Sequence, residues 1–335
     1  MALGVGKKKT FSTEQHSVLL RISKRLASKG YRAGSIFFIR LFALMRRNEY
    51  PGLLAMSKAY SVDMDVSNSY FERIRYRIQL FEFLKSKPEP GSSKARSEGG
   101  EIEVAKTKYF VYWKQGFETA PAIVRACHRQ LTEVLGSQLV SLSDENLNEY
   151  LELPVEVLDR CAKHVAHMSD IIRVGLLAKH GGVWLDATTW VAENPDKYLS
   201  SVSEQSGFFA YRWTNSRISS WLMVADSSNY VTATMYEALC AFWKENTKLV
   251  GYFMFHDLFE CLYFSDPVFK KVVDSTPFEP AAERHILQRK YLFSPYDQDA
   301  VKQLLQDSPI QKITYKTGKH ELPAGSTFEK FAQTL

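Results

Sequence analysis

The residues best placed to do chemistry lie between 170 and 188: Asp170, Arg173, a Gly181-Gly182 pair, Asp186 and Thr188. Asp170 and Arg173 are three apart, so on a helix they share one face. Asp186 follows Val183-Trp184-Leu185, a short apolar run that reads as a buried strand. A carboxylate leaving a strand end beside Thr188 and Thr189 is where a hard cation or a ligand could be met. A helix, a double glycine and a strand ending in aspartate form a ligand site at the carboxyl edge of an α/β sheet. The plainer alternative is a surface ion pair followed by a turn cap, since such helical pairs are common and weak.

The whole run His167–Val191, HMSDIIRVGLLAKHGGVWLDATTWV, sets up these positions. Ser169 is expected as the N-cap, its hydroxyl accepting from a free amide of the first turn. Asp170 then falls at the positive end of the helix dipole. Ile171, Ile172, Leu176 and Leu177 keep helical spacing, and His180 with the two glycines ends the helix. His167, just before the motif, reads as a core histidine.

The pattern SDxxRxxLLxxxGGxWxDAT resembles the capsular polysaccharide synthesis protein family, with weaker likeness from Tyr109 to Leu335. That family is related to glycosyltransferases carrying a DxxR…GGxYxDxD sugar-binding region. The resemblance implies a GT-A-like domain that binds a nucleotide-sugar at the carboxyl ends of its strands. It makes Asp186 the residue that organises a metal (Mn²⁺ or Mg²⁺) or the pyrophosphate. It makes Asp170 and Arg173 the grip on sugar hydroxyls, by carboxylate acceptance and forked donation. Asp186, Asp170 and Arg173 are therefore the candidate catalytic residues. The related enzymes retain anomeric configuration, which implies front-face transfer with the leaving phosphate taking the acceptor proton. One departure stands out: the broader group has Asp-x-Asp, and here the positions read Asp186-Ala187-Thr188. One carboxylate fewer weakens a metal site, although Thr188 and a pyrophosphate could complete one.

Further candidates surround these. Trp113 matches the tryptophan of the group's opening motif and either lines a base and ribose pocket or fills the core. Gln115 and Gly116 supply donors nearby. Gly181 and Gly182 either let the backbone approach the donor or simply turn the chain. His256-Asp257, polar on an apolar helix, is a third metal ligand or acceptor-side base, or else a satisfied helix pair. Lys316, Lys319 and His320 form either a flap over the pyrophosphate or a solvated tail.

The elements that must position these residues follow from the pattern. Lys108–Trp113 reads as a first strand, Pro121–Val134 as a helix, Leu139–Leu142 as a second strand and Val155–Lys163 as a helix. Beyond Val191, Gly207–Tyr211 reads as a strand, and Ser219–Ala225, Tyr230–Asn246 and Tyr252–Phe264 as helices. The order argues an α/β domain with a largely parallel sheet over residues 101–335.

Ahead of it, four helices are expected at about 13–28, 33–47, 52–60 and 68–85, a small helical unit over residues 1–85. Ser86–Gly100, SKPEPGSSKARSEGG, is the expected linker. Charge divides the same way. Residues 1–100 carry 19 Lys and Arg against 8 Asp and Glu, while the remainder carries 24 against 29. A basic aromatic unit suits the face of an anionic membrane, and no nucleic-acid-binding signature is present. The four cysteines form no C-x-x-C pair, as expected of reduced thiols in the cytoplasm. The start lacks the apolar core of a signal peptide, and no run reaches the ~20 apolar residues of a membrane span.

The expectation is thus a cytoplasmic glycosyltransferase, in peripheral contact with the inner face of the cell membrane, acting on a growing lipid-linked glycan. The alternative is a non-catalytic nucleotide-sugar- or glycan-binding partner in polysaccharide assembly.

Overall fold

The computed structural model describes residues 68–86, 107–249, 251–318 and 322–333, with side chains from 76 onward, and isolated helical positions between 21 and 56. The expected helices at 13–28, 33–47 and 52–60 lie outside the described residues except for those isolated positions. The expected linker lies outside them beyond Ser86. The chain divides into two compact units, Met1–Lys87 with Leu249–Asp266, and Pro88–Lys248 with Pro267–Leu335.

In the first unit, α1 (Asn68–Lys85) packs on α8 (Met254–Ser265). Helix α8 is buried almost all round, and its carboxylates Asp257 and Glu260 are buried with it. Arg77 of α1 explains that burial. Its Nε donates to Asp257 Oδ1 at 3.2 Å and its Nη2 meets Glu260. Two buried anions without this guanidinium would cost several kcal/mol each. The basic first unit therefore recruits its counter-charges from a segment far along the chain.

The second unit is built on a five-stranded sheet. Its strands are β1 (Tyr109–Tyr112), β2 (Leu139–Leu142), β3 (Gly182–Asp186), β5 (Phe208–Thr214) and β6 (Arg217–Ala225), in the order β2-β1-β3-β6-β5. β1 pairs parallel with β2 and β3, while β6 is antiparallel to both β3 and β5. Four strands thus share one direction and β6 alone is reversed. The α/β expectation holds, and the sheet is mixed, mostly parallel. The helices expected around β1 and β2 are α2 (Ala122–Leu135) and, after the short turn α3 (Leu147–Tyr150), α4 (Val155–Cys161). Ser219–Ala225, expected as a helix, is most of β6. Its apolar run WLMVA is buried throughout, so periodicity alone did not separate strand from helix.

Period-two alternation divides β3 between two faces. Val183 and Leu185 join Tyr109 and Val111 in a core with Ile123, Val124, Cys127 and Leu131 of α2. Trp184 and Asp186 take the other face, toward α5 (Val165–His180), whose Arg173 lies 5.4 Å from the Trp184 ring centre. Helix α5 begins a turn earlier than expected, so Ser169 lies inside it and is not its cap; Asp170 sits in the helix interior, beyond the strong part of the dipole.

The C-terminal part adds α6 (Asp196–Ser203), α7 (Tyr230–Glu245), α9 (Pro267–Asp274), α10 (Gln298–Asp307) and α11 (Thr327–Gln333). It also adds a two-stranded ladder, β4 (Thr189–Val191) with β7 (Ile310–Lys312), antiparallel, with Thr189 opposite Lys312. This ladder, not expected from sequence, carries the C-terminal segment back to the end of β3. Among the described residues, no helix is long and apolar enough to cross a membrane.

Candidate functional site

Why Arg173 meets Asp186 follows from the geometry of helix and strand. From Arg173 to Gly181 the helix covers ~12 Å at 1.5 Å per residue. The chain then reverses, and β3 covers ~13 Å from Gly182 to Asp186 at 3.3 Å per residue. The two side chains therefore return to one level, at the carboxyl edge of the sheet. Tyr112, the last residue of β1, is opposite Asp186 in register. β2 lies on one side of β1 and β3 on the other, so this edge is the topological switch point where open α/β sheets take their ligands.

Four charged groups converge there. Arg173 is 5% exposed. Its Nη1 lies 2.9 Å from Asp170 Oδ1, and its Nη2 donates to Asp186 Oδ1 at 3.1 Å. Trp184 Nε1 donates to that same Oδ1 at 3.0 Å. The Lys312 ammonium lies 3.3 Å from Asp186 Oδ2 and donates to the Thr188 hydroxyl. Thr188 is fixed in turn because its carbonyl accepts from Ile313 N at 3.0 Å.

The two carboxylates titrate apart. Burial pushes Asp170 up to about 7; Arg173 pulls the other way, and neighbouring Asp186 adds to the rise. Asp186 is also penalised by burial, but Lys312 and Arg173 outweigh it and hold the carboxyl below its ordinary value. His167 Nδ1 is 3.7 Å from Asp170, yet burial, with His164 nearby, lowers its pKa to about 4. It stands beside Asp170 as a neutral ring, in keeping with a core histidine. A pair of carboxylates with separated affinities for the proton is the pattern of acid and base roles in catalytic sites.

An aromatic pair stands at the same edge, packed against the core that Val111 and Leu185 join. Trp113, directly after β1, meets Tyr315 edge to face with ring centres 5.5 Å apart. Tyr315 follows Lys312 on the segment that continues β7 across the edge. Lys316 places its ammonium 5.7 Å from the Tyr315 ring. Gln115 is exposed in the exit loop of β1, and Gly116, at φ +80°, closes that loop by donating to Trp113 O at 2.9 Å.

Asp170, Arg173, Asp186 and Thr188 are thus brought together, with Trp113, Gln115 and Gly116 at the same edge. Gly181 and Gly182 are not. Gly181 precedes β3 and Gly182 is its first residue, at its amino end, where an added Cβ would sit 2.7 Å from Ser227 N and 2.4 Å from Lys108 O, respectively. Close backbone passage and positive φ require glycine there, which is the chain-turning alternative and not contact with a donor at Asp186. His256 stands on α8 in the first unit, beside the rings of Phe255 and Phe253, and its neighbour Asp257 is held by Arg77. Lys319 and His320 lie outside the described residues. Lys312, Trp184 and Tyr315 escaped the sequence reading. Trp184 carried a usable signal, since it is two residues from Asp186 on the same strand face.

A divalent cation at Asp186 needs several free oxygen ligands. Asp186 Oδ1 already accepts from Arg173 and Trp184, Oδ2 faces an ammonium, and that ammonium also holds the Thr188 hydroxyl. Among the described residues, no group of three or more His, Cys, Asp or Glu side chains is arranged to hold a metal ion. The residues present do not fit a divalent cation at this carboxylate.

Fold and site together define an α/β protein with a buried cluster of charged side chains at the carboxyl edge of its central sheet. The chain matches the model of the capsular polysaccharide synthesis protein family over residues 64–331, and it belongs to that family. No curated protein matches it. Membership connects the protein with capsule biosynthesis.

Proposed function

We propose that the protein is a glycosyltransferase that moves a sugar from a nucleotide-sugar to a growing capsular glycan. One observation carries this reading: the Asp170–Arg173–Asp186 constellation, joined by Lys312, at the switch point beside Trp113. A nucleotide-sugar presents adjacent hydroxyls, a diphosphate and a flat base. Carboxylates accept from hydroxyls, cations meet phosphate, and aromatic rings take the base. In this reading Asp170 orients the sugar, Asp186 holds the Lys312 ammonium in place, Arg173 sets both carboxylates, and Trp113 with Tyr315 borders the base.

The transfer retains configuration, with the acceptor hydroxyl attacking the face the diphosphate leaves. The acceptor is a lipid-linked glycan, met at the cytoplasmic face of a membrane. The basic first unit supports peripheral contact there, since each Lys or Arg near an anionic surface contributes about 1 kcal/mol.

The test is turnover of a panel of nucleotide-sugars by wild type and Asp186→Asn, which keeps the shape and removes the charge. Loss of at least about a hundredfold in kcat, with melting behaviour retained, is expected of a group that acts on the developing charge. Wild-type rates in the folded variant would remove the assignment. A second reading, a binding partner without turnover, draws on Thr188 standing where related enzymes have an aspartate. Donor binding with neither hydrolysis nor transfer would favour it.

A further inference from the structure

We infer that Lys312 is the cation of this site, and that its ammonium, seated between Asp186 and Thr188, meets the donor diphosphate directly so that binding and transfer require no divalent metal. This rests on the nucleotide-sugar reading above. A diphosphate needs positive charge, and the place where a metal would sit on Asp186 Oδ2 is filled by the Lys312 ammonium at 3.3 Å. Lysine is a compact point charge that binds phosphate without demanding one geometry. The position is built. Lys312 closes β7 opposite Thr189, so the β4–β7 ladder delivers it to the strand end that carries Asp186. Its side chain is 16% exposed, open enough to meet a ligand and sheltered enough for its charge to act at strength. Asp186 then positions the ammonium, and Thr188 fixes it from the other side without the second negative charge that an aspartate would set against the diphosphate.

In the transfer step the bond between the anomeric carbon and the diphosphate oxygen breaks, and its electron pair leaves on that oxygen. The acceptor hydroxyl oxygen bonds to the anomeric carbon, and its proton passes to an oxygen of the leaving phosphate. Lys312 keeps its own protons and stabilises the charge that grows on the departing oxygen.

The experiment is calorimetric binding of uridine, guanosine, cytidine and adenosine diphosphates to the full chain. Each is titrated in EDTA, in Mg²⁺ and in Mn²⁺, with wild type, Lys312→Met and Lys312→Arg. At least one diphosphate is expected to bind wild type in EDTA, with affinity changed less than about threefold by either cation. Lys312→Met is expected to weaken it at least tenfold, and Lys312→Arg to recover most of that loss. The matching nucleoside without phosphates should bind wild type and Lys312→Met alike. Wild-type binding that appears only with a divalent cation would overturn the role of Lys312 and leave the donor reading standing. No binding of any diphosphate under any condition would overturn both. Even if Lys312→Met fails to fold, the wild-type EDTA arm decides whether a metal is needed, and near-wild-type binding by Lys312→Arg supports the cation at that position while its loss would overturn it.

Discussion

Arg173 donates to Asp186 at 3.1 Å across the gap between a helix and the strand that follows it, and the same guanidinium holds Asp170 at 2.9 Å. A buried arginine shared by two carboxylates is an expensive way to stabilise a fold, because desolvation offsets much of the attraction. Removing it is a different matter. Arg173→Met strands Asp170 in a sheltered site and leaves Asp186 to Lys312 and Trp184, and the expected loss is about 3–5 kcal/mol in denaturant unfolding. Adding Asp170→Asn should return part of it, since the two changes share a partner and will not be additive. A loss under about 1 kcal/mol would mean that water already satisfies both carboxylates.

The pH dependence of stability separates Asp170 from its neighbour His167. Asp170 has a folded pKa of about 7 against an ordinary 3.8. Between those values the native state holds a proton that the unfolded chain has released, so its contribution to stability falls as pH rises from about 4 to 7. His167 has a folded pKa of about 4 against 6.5, so the unfolded chain holds the extra proton and its contribution rises with pH from about 4 to 6.5. The two oppose each other over most of that window. Relative to wild type, Asp170→Asn should therefore make stability climb more steeply with pH between 4 and 6.5. His167→Gln should make it climb less or fall. Each difference slope is bounded at about 1.4 kcal/mol per pH unit for one proton. Parallel curves for all three proteins in denaturant melts at closely spaced pH would show that neither group shifts on folding.

Two glycines in the same unit should respond differently to alanine. Gly182 has φ +96°, and an added Cβ would lie 2.4 Å from the Lys108 carbonyl oxygen. Gly182→Ala therefore combines backbone strain with a backbone clash, and about 3 kcal/mol or more should be lost. Gly116, at φ +80°, would place its Cβ in open space, so Gly116→Ala should cost only the left-handed strain, about 1 kcal/mol. Function should reverse the order. Gly116 lies in the loop beside Trp113, so its variant should raise the donor KM, whereas folded Gly182→Ala protein should keep the wild-type KM. Equal KM effects would mean that the carboxyl and amino edges of the sheet are not functionally distinct.

What was legible in the sequence was local. β1 and β2, α2 and the reversal at Gly181 each declare themselves within a dozen residues, through branched and aromatic runs, helical spacing and glycine. Asp170, Arg173 and Asp186 were legible because a single helix–turn–strand segment brings them together. Lys312 was not, because a three-residue strand paired across more than a hundred residues leaves almost no periodic trace. The same holds for Asp257, which with His256 read as a site pair or a satisfied helix pair until Arg77 supplied its partner. Buried charge looks functional in a sequence whenever its counter-ion lies far along the chain.

Trp113 and Tyr315, edge to face at 5.5 Å, tie the end of β1 to the segment that delivers Lys312. Such pairs contribute about 0.5–1.5 kcal/mol beyond their buried area, and a double-mutant cycle with alanine at both positions should read a coupling in that range. Their effect on turnover should differ in kind from that of Asp186. A ring against the base binds donor and transition state equally, so Trp113→Ala or Tyr315→Ala should raise KM and leave kcat within about twofold. Asp186 lies where charge develops, so Asp186→Asn should lower kcat. If the aromatic variants lower kcat as much as Asp186→Asn does, the rings act by fixing the cluster, and the C-terminal segment is part of the catalytic geometry instead of a wall beside it.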